Sequence, residues 1–257
     1  MSPSRLLLAA FALAAAVDLV SLAAGFDAGH LVTKPLLMPL LASWAVLRKA
    51  PRPLVAALLF GWGGDVLLLF EAEPAFLAGM ASFAAGHVCY LVLFARYGSR
   101  HAVPARSPKR LEQEEPPHRT PLLNGQTRAA AAPALGYAAA LVTTVALLWP
   151  DLPADLRLPV AAYSLLLTAM AYRAGVRLGL VAGLGGALFL LSDTLIATGV
   201  AEWPQPPRPD FWIMLTYIAA QALLAAGTLG ALRGPCTVPV RGARPGTVHR
   251  KAPDHAP

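Results

Sequence analysis

Residues 58–70 read LLFGWGGDVLLLF and residues 185–197 read GGALFLLSDTLIA. Each stretch sets one aspartate, Asp65 or Asp193, inside an apolar run of the kind that crosses a bilayer as a helix. A carboxylate at that depth costs a few kcal/mol or more, so a chain retains one where it pairs with something or does chemistry. The two stretches also share a cluster of glycines before the Asp and aliphatic residues after it, a pattern compatible with a duplicated four-helix unit.

The rest of the chain agrees with a membrane setting. Of its 257 residues 56% are hydrophobic and only 14% charged, against about 25% charged in soluble domains. The apolar residues come in long runs that predict an all-α, polytopic bundle of eight spans. These lie near 5–25, 31–49, 53–70, 75–95, 131–149, 156–173, 177–200 and 209–232. Pro51, Pro53, Pro74, Pro150 and Pro153 punctuate the turns. The membrane domain is expected over 1–233, interrupted by a flexible Pro-, Glu- and Arg-rich loop over about 98–130, and 234–257 is expected to be a disordered basic tail. Arg5, an Ala/Leu run and Ala23-Ala24-Gly25 also fit a cleaved signal peptide, but Asp18 within the run argues for a retained span.

The formal charge of +7 invites a nucleic-acid reading. The basic residues lie in short loops and tails, without interleaved aromatics or a recognisable module, so no nucleic-acid partner is expected. With the N-terminus in the cytoplasm, all but Arg157, Arg208 and Lys34 of the 21 Lys and Arg residues fall on the cytoplasmic side. That bias places both termini there. The two cysteines, Cys89 and Cys236, are too differently placed to pair and offer no metal or redox spacing.

Counting 1.5 Å per residue puts Asp18, Asp65 and Asp193 at similar depth, His87 and Gln221 near mid-span, and Lys34 in the first turn of span two. These groups are placed to share a polar cavity. Plainer readings stand beside that one: glycine-mediated packing around a hydrogen-bonded Asp, a snorkelling Lys34 or one neutralised by Asp18, a core His87, and Tyr217 and Gln221 as interhelical hydrogen-bonders. No H-x-x-x-H or E-x-x-H spacing supports a metal, and Ser192 lacks a nucleophile elbow. Paired carboxylates suit acid–base hydrolysis, one donating a proton while the other stays ionised.

An ordered series of motifs resembles a known family. LVTKPLLMPLL (31–41), GGDVLLLF (63–70), FLAGMASFAAGHVCYLVLF (76–94), LPVAAYSLLLTAMAYR (158–173), GGALFLLSDTLIA and YIAAQALL (217–224) are similar in sequence and order to the lysoplasmalogenases, the YhhN-like membrane family. The loop near 98–128 lies outside these motifs. The resemblance implies an eight-helix enzyme of the endoplasmic reticulum membrane that hydrolyses the vinyl ether bond of lysoplasmalogens. The products would be a fatty aldehyde and glycerophosphoethanolamine or glycerophosphocholine. It implies Asp65 and Asp193 as catalytic, with Lys34, His87, Tyr90, Ser192, Tyr217 and Gln221 binding substrate or supporting the pair. Lysophospholipid and membrane lipids are the implied partners, no cofactor or metal is required, and a homodimer is compatible. Neighbouring residues favour Asp65 as proton donor, since Ser192 adjoins Asp193 and would hold it ionised. The rival readings are a transporter or lipid-binding protein and an intramembrane aspartyl protease. GWGGD suggests the protease, but its Tyr-Asp partner is absent and Pro133-Ala134-Leu135 lies in the wrong helix.

Overall fold

The computed structural model describes residues 2–70, 72–97 and 123–233, apart from the side chains of 123–132. Those residues form eight helices: α1 (Pro3–Ala24), α2 (Asp27–Leu47), α3 (Arg52–Leu67), α4 (Glu73–Tyr97), α5 (Leu123–Leu148), α6 (Arg157–Leu178), α7 (Leu180–Val200) and α8 (Pro209–Arg233). Most of the loop expected over 98–130, and the whole 234–257 tail with Cys236, lie outside the described residues. The end of that loop is corrected: α5 begins at Leu123, not near 131. Gln, Arg and a run of Ala over 126–132 are strong helix formers and carry the helix back past its apolar part.

Among the described residues five helices, α1, α2, α4, α7 and α8, are long and apolar enough to cross a membrane. The 16 residues of α3 reach only about 24 Å, short of a hydrocarbon core of roughly 30 Å. The burial pattern is that of a protein facing lipid. Leu13, Val20, Leu135, Val142 and Leu180 point outward, while Asp18, Lys34, Asp65, His87, Ser192 and Gln221 are buried. Water would reverse this arrangement; lipid rewards it.

Sequence neighbours pack as pairs, α1 on α2, α3 on α4, α5 on α6 and α7 on α8, and the halves join through α4 on α6 and through α8 on α1 and α2. At the α1–α2 corner Gly25 adopts φ +73°, a conformation open to glycine without a Cβ penalty. There its N–H and that of Phe26 cap the carbonyls of Leu22 and Ser21. Helix α2 tolerates two internal prolines, Pro35 and Pro39. Pro39 has no N–H for the carbonyl one turn back, and the Trp62 indole of α3 donates to that Pro35 oxygen at 2.9 Å. The missing rung of α2 thus becomes a tie between α2 and α3. Because α2 starts at Asp27, Lys34 sits in its third turn rather than its first; an acidic residue at a helix start favours the earlier beginning.

Candidate active site

Two carboxylates anchor the buried centre, each held by a phenol from another helix. Tyr217 of α8 donates to Asp65 Oδ2 of α3 at 2.9 Å. Gln221, one turn further along α8, donates through Nε2 to the Tyr217 oxygen at 3.3 Å, and its Oε1 accepts from Tyr90 of α4 at 2.7 Å. On the other side, Tyr163 of α6 donates to Asp193 Oδ2 of α7. The same phenol oxygen lies 3.0 Å from His87 Nε2 of α4.

Aromatic rings fill the space between the two chains. Phe189 stands edge-on to Tyr217 with centroids 5.4 Å apart and to His87 at 4.8 Å; Phe83 packs edge-on to Tyr217 at 5.9 Å. Edge-to-face contacts of this kind fix ring orientation as well as fill volume, so the phenols point at their carboxylates rather than rotate freely. Close helix approach makes room for them. A Cβ on Gly64 would fall 2.5 Å from the Phe83 ring, so the glycine before Asp65 is the seat of Phe83.

Two cavities reach this centre. A polar chamber of about 410 Å³ is lined by Lys34, Asp65, Ser192, Asp193, Asp210 and Tyr217, among others. An apolar cavity of about 320 Å³ lies among α4, α5, α6 and α7, walled by residues such as Met80, Leu141, Leu167 and Leu190. They share the wall made by Leu68, Phe76, Phe83, Asp193, Ile196 and Val200. Asp193 is the carboxylate common to both; Asp65 faces the polar chamber alone. Lys34 makes no ion pair within 4 Å among the described residues, and it lines the chamber together with Asp65.

Of the residues singled out from sequence, Lys34, Asp65, Ser192, Asp193 and Tyr217 therefore line one chamber. His87 and Gln221 stand behind it as hydrogen-bond partners of the two phenols, and Tyr90 as the partner of Gln221. Two expectations are corrected. Ser192 donates to the Ile213 carbonyl of α8 at 3.1 Å and does not steady Asp193, because adjacent residues on a helix project about 100° apart. Asp18 does not neutralise Lys34: its Oδ1 takes His30 Nδ1 at 2.9 Å and Thr33 Oγ1 at 2.7 Å, joining α1 to α2. Tyr163 went unnoticed in the sequence, although a phenol in mid-span is itself a signal, since a buried hydroxyl requires a partner.

An apolar exterior around a chamber holding two carboxylates and an ammonium defines a multi-pass membrane protein with a polar reaction-sized site. Residues 29–228 match the model of the YhhN family, and the chain belongs to that family. It is similar to lysoplasmalogenase TMEM86B of Homo sapiens, 35% identical over 182 residues, 71% of this chain and 64% of the human protein. The Sus scrofa protein of that name is 35% identical over 172 residues, 67% of this chain and 61% of its own length. The Rattus norvegicus protein is 32% identical over 204 residues, 79% and 72% respectively. The chain thus spans less than two-thirds of the human and pig relatives. No solved structure matches it.

Proposed function

We propose that the protein hydrolyses the vinyl ether bond of lysoplasmalogens, releasing a fatty aldehyde and a glycerophospho-alcohol, with Asp65 and Asp193 as the acid–base pair. One observation carries this reading: two carboxylates from different helices, Asp65 buried and Asp193 half-buried, line a single chamber, and Asp193 also walls an apolar cavity suited to a hydrocarbon chain. A vinyl ether is protonated at carbon to give an oxocarbenium ion, and water then adds to that ion. The sequence requires a proton donor and a facing anion, as in glycoside hydrolysis. The relatives named lysoplasmalogenase support the same substrate class.

In this reading all eight helices cross the bilayer with both termini cytoplasmic, the short α3 being sheltered by α2 and α4, and the membrane is that of the endoplasmic reticulum. The single chain of the lysolipid occupies the apolar cavity, and its headgroup the polar chamber, where Lys34 meets the phosphate. Tyr90, Tyr217 and Gln221 keep Asp65 in place, His87 and Tyr163 do so for Asp193, and Ser192 fixes α7 to α8.

Aldehyde release by the purified protein tests this directly, comparing a vinyl ether lysophospholipid with its ester counterpart. Hydrolysis of the vinyl ether alone is expected. Failure to cleave either, or net flux of lysolipid across liposomes without consumption, would replace the enzyme with a carrier.

A further inference from the structure

The two phenol–carboxylate pairs look alike, but their hydrogen bonds differ in what they permit. The Tyr217 oxygen lies between Asp65 and the amide nitrogen of Gln221, and an amide nitrogen only donates. The amide is held in that orientation because its oxygen accepts from Tyr90 at 2.7 Å. Turning it over would leave the hydrogen of the fully buried Tyr90 hydroxyl facing a donor. Every hydrogen in this chain therefore points toward Asp65, which is held as an acceptor on Oδ2.

The Tyr163 oxygen lies instead between Asp193 and His87 Nε2. An imidazole nitrogen donates in one tautomer and accepts in the other, and the remaining ring nitrogen, Nδ1, is buried without a partner. Tyr163 can thus give its hydrogen to an Asp193 carboxylate, or accept one from an Asp193 carboxylic acid while giving its own to His87. The oxygen of Asp193 that meets its phenol can itself carry a proton, whereas on Asp65 only Oδ1 can.

The cavities add an independent constraint, which rests on the lysoplasmalogen reading above. In a vinyl ether the carbon that receives the proton lies on the hydrocarbon side, and the carbon that becomes cationic is bonded to the oxygen of the headgroup side. Asp193 lines both cavities, whereas Asp65 lines the polar one only. We infer that Asp193 is the proton donor to the tail-side carbon, that Asp65 is the carboxylate facing the oxocarbenium ion and receiving the proton of the attacking water, and that Tyr163, set by His87, is the positioning residue for the donor. This reverses the order expected from the flanking residues.

The steps balance. The π electrons of the vinyl ether take the Asp193 proton and form the new C–H bond. Water adds to the cationic carbon and passes one proton to Asp65. As the hemiacetal carbon–oxygen bond breaks, Asp65 returns that proton to the departing glycerol oxygen. The hemiacetal hydroxyl gives its proton to Asp193, and both carboxyl groups are restored.

The test is binding of two unreactive analogues to the full-length protein in detergent: a 1-alkyl ether lysophospholipid, and the same molecule with a secondary ammonium in place of the ether oxygen. Wild type should prefer the ammonium by about tenfold or more, as a close buried charge pair allows. Asp65→Asn should abolish that preference and Asp193→Asn should keep it, with the neutral ether bound by both. The opposite pattern, loss in both, or loss in neither overturns the assignment. Tyr163→Phe leaves both carboxylates in place; it should lower kcat about tenfold at near-constant KM and preserve the ammonium preference. An unchanged kcat or a lost preference counts against the proposal whatever the Asn variants do. If wild type released no aldehyde from a vinyl ether, the hydrolase reading would fall, while the binding comparison would still rank the two carboxylates.

Discussion

Replacing Gly185 with alanine probes how closely the reaction geometry depends on the α7–α8 seam. A Cβ at this position would lie 2.8 Å from the Leu224 nitrogen and 2.9 Å from the Ala220 oxygen, both backbone atoms of α8. No rotamer change relieves such a contact. Widening it from 2.8 Å to the 3.4 Å of ordinary contact displaces one helix from the other by about 0.6 Å. The Ser192–Ile213 bond across the seam, 3.1 Å in length, would then stretch to about 3.7 Å and be lost. Overpacking costs about 1–3 kcal/mol, and the better helix propensity of alanine returns about 0.5–1, leaving a net loss of roughly 0–2.5 kcal/mol. Because α7 carries Asp193 and α8 carries the Tyr217 partner of Asp65, the same shift separates the two halves of the site. A misplacement of about 1 Å costs on the order of 10²-fold in rate, so about 0.6 Å should cost around tenfold. Thermal unfolding in micelles and aldehyde release measure the two effects. Gly136→Ala is the control, since a Cβ there meets nothing within 4 Å. A Gly185→Ala protein as stable and as active as the control would refute the argument that this seam sets the catalytic geometry.

Three further outcomes follow from individual contacts. Trp62→Phe removes the donor to the Pro35 carbonyl and should cost about 1–3 kcal/mol in thermal unfolding; a neutral result would mean that the carbonyl finds another partner. Lys34→Met should raise KM for a phosphate-bearing lysolipid about tenfold or more with a smaller change in kcat, whereas an effect on kcat alone would place Lys34 in the chemistry rather than in binding. Asp18→Asn should destabilise the α1–α2 pair by about 1–3 kcal/mol yet leave kcat unchanged, because Asp18 bonds to His30 and Thr33 and does not line the chamber; a lost kcat would bring α1 into the site.

Helix number and order were legible because long apolar runs are broken by Pro51, Pro53, Pro74, Pro150 and Pro153, each of which limits where a helix continues. The two aspartates were legible because a carboxylate in such a run is costly. Their partners were legible in part: Tyr217, Gln221, Tyr90 and His87 stand out as polar groups within apolar helices, but Tyr163 does not. Tyr163 reaches His87 across 76 positions of sequence only because α6 packs on α4, and the apolar periodicity of a helix surrounded by lipid and other helices does not say which neighbour a given face meets. Ser192 misled for a related reason: adjacency in sequence suggested contact with Asp193, but the helical turn aims it at α8. Lys34 reads as nearer the helix end than it is because Asp27, Gly29 and His30 resemble loop residues, although His30, and Thr33 one turn on, bond Asp18 from within α2.

The similarity of the two Gly-rich aspartate stretches invites the idea of two equivalent halves, and the hydrogen bonds argue against functional equivalence. If α3 and α4 corresponded to α7 and α8, the Asp65 of α3 paired with a phenol of α8 would require Asp193 of α7 to pair with a phenol of α4. Its phenol comes from α6 instead. Helix α4 serves both sides at once. His87 and Tyr90, three residues apart and thus neighbours on one helical face, each reach the chain behind one aspartate, His87 through Tyr163 and Tyr90 through Gln221. One helix therefore sets both carboxylates through chemically different intermediaries, an imidazole that takes or gives and an amide that gives only. That difference, rather than the matching sequence around Asp65 and Asp193, is what would let two similar residues divide the proposed reaction between them.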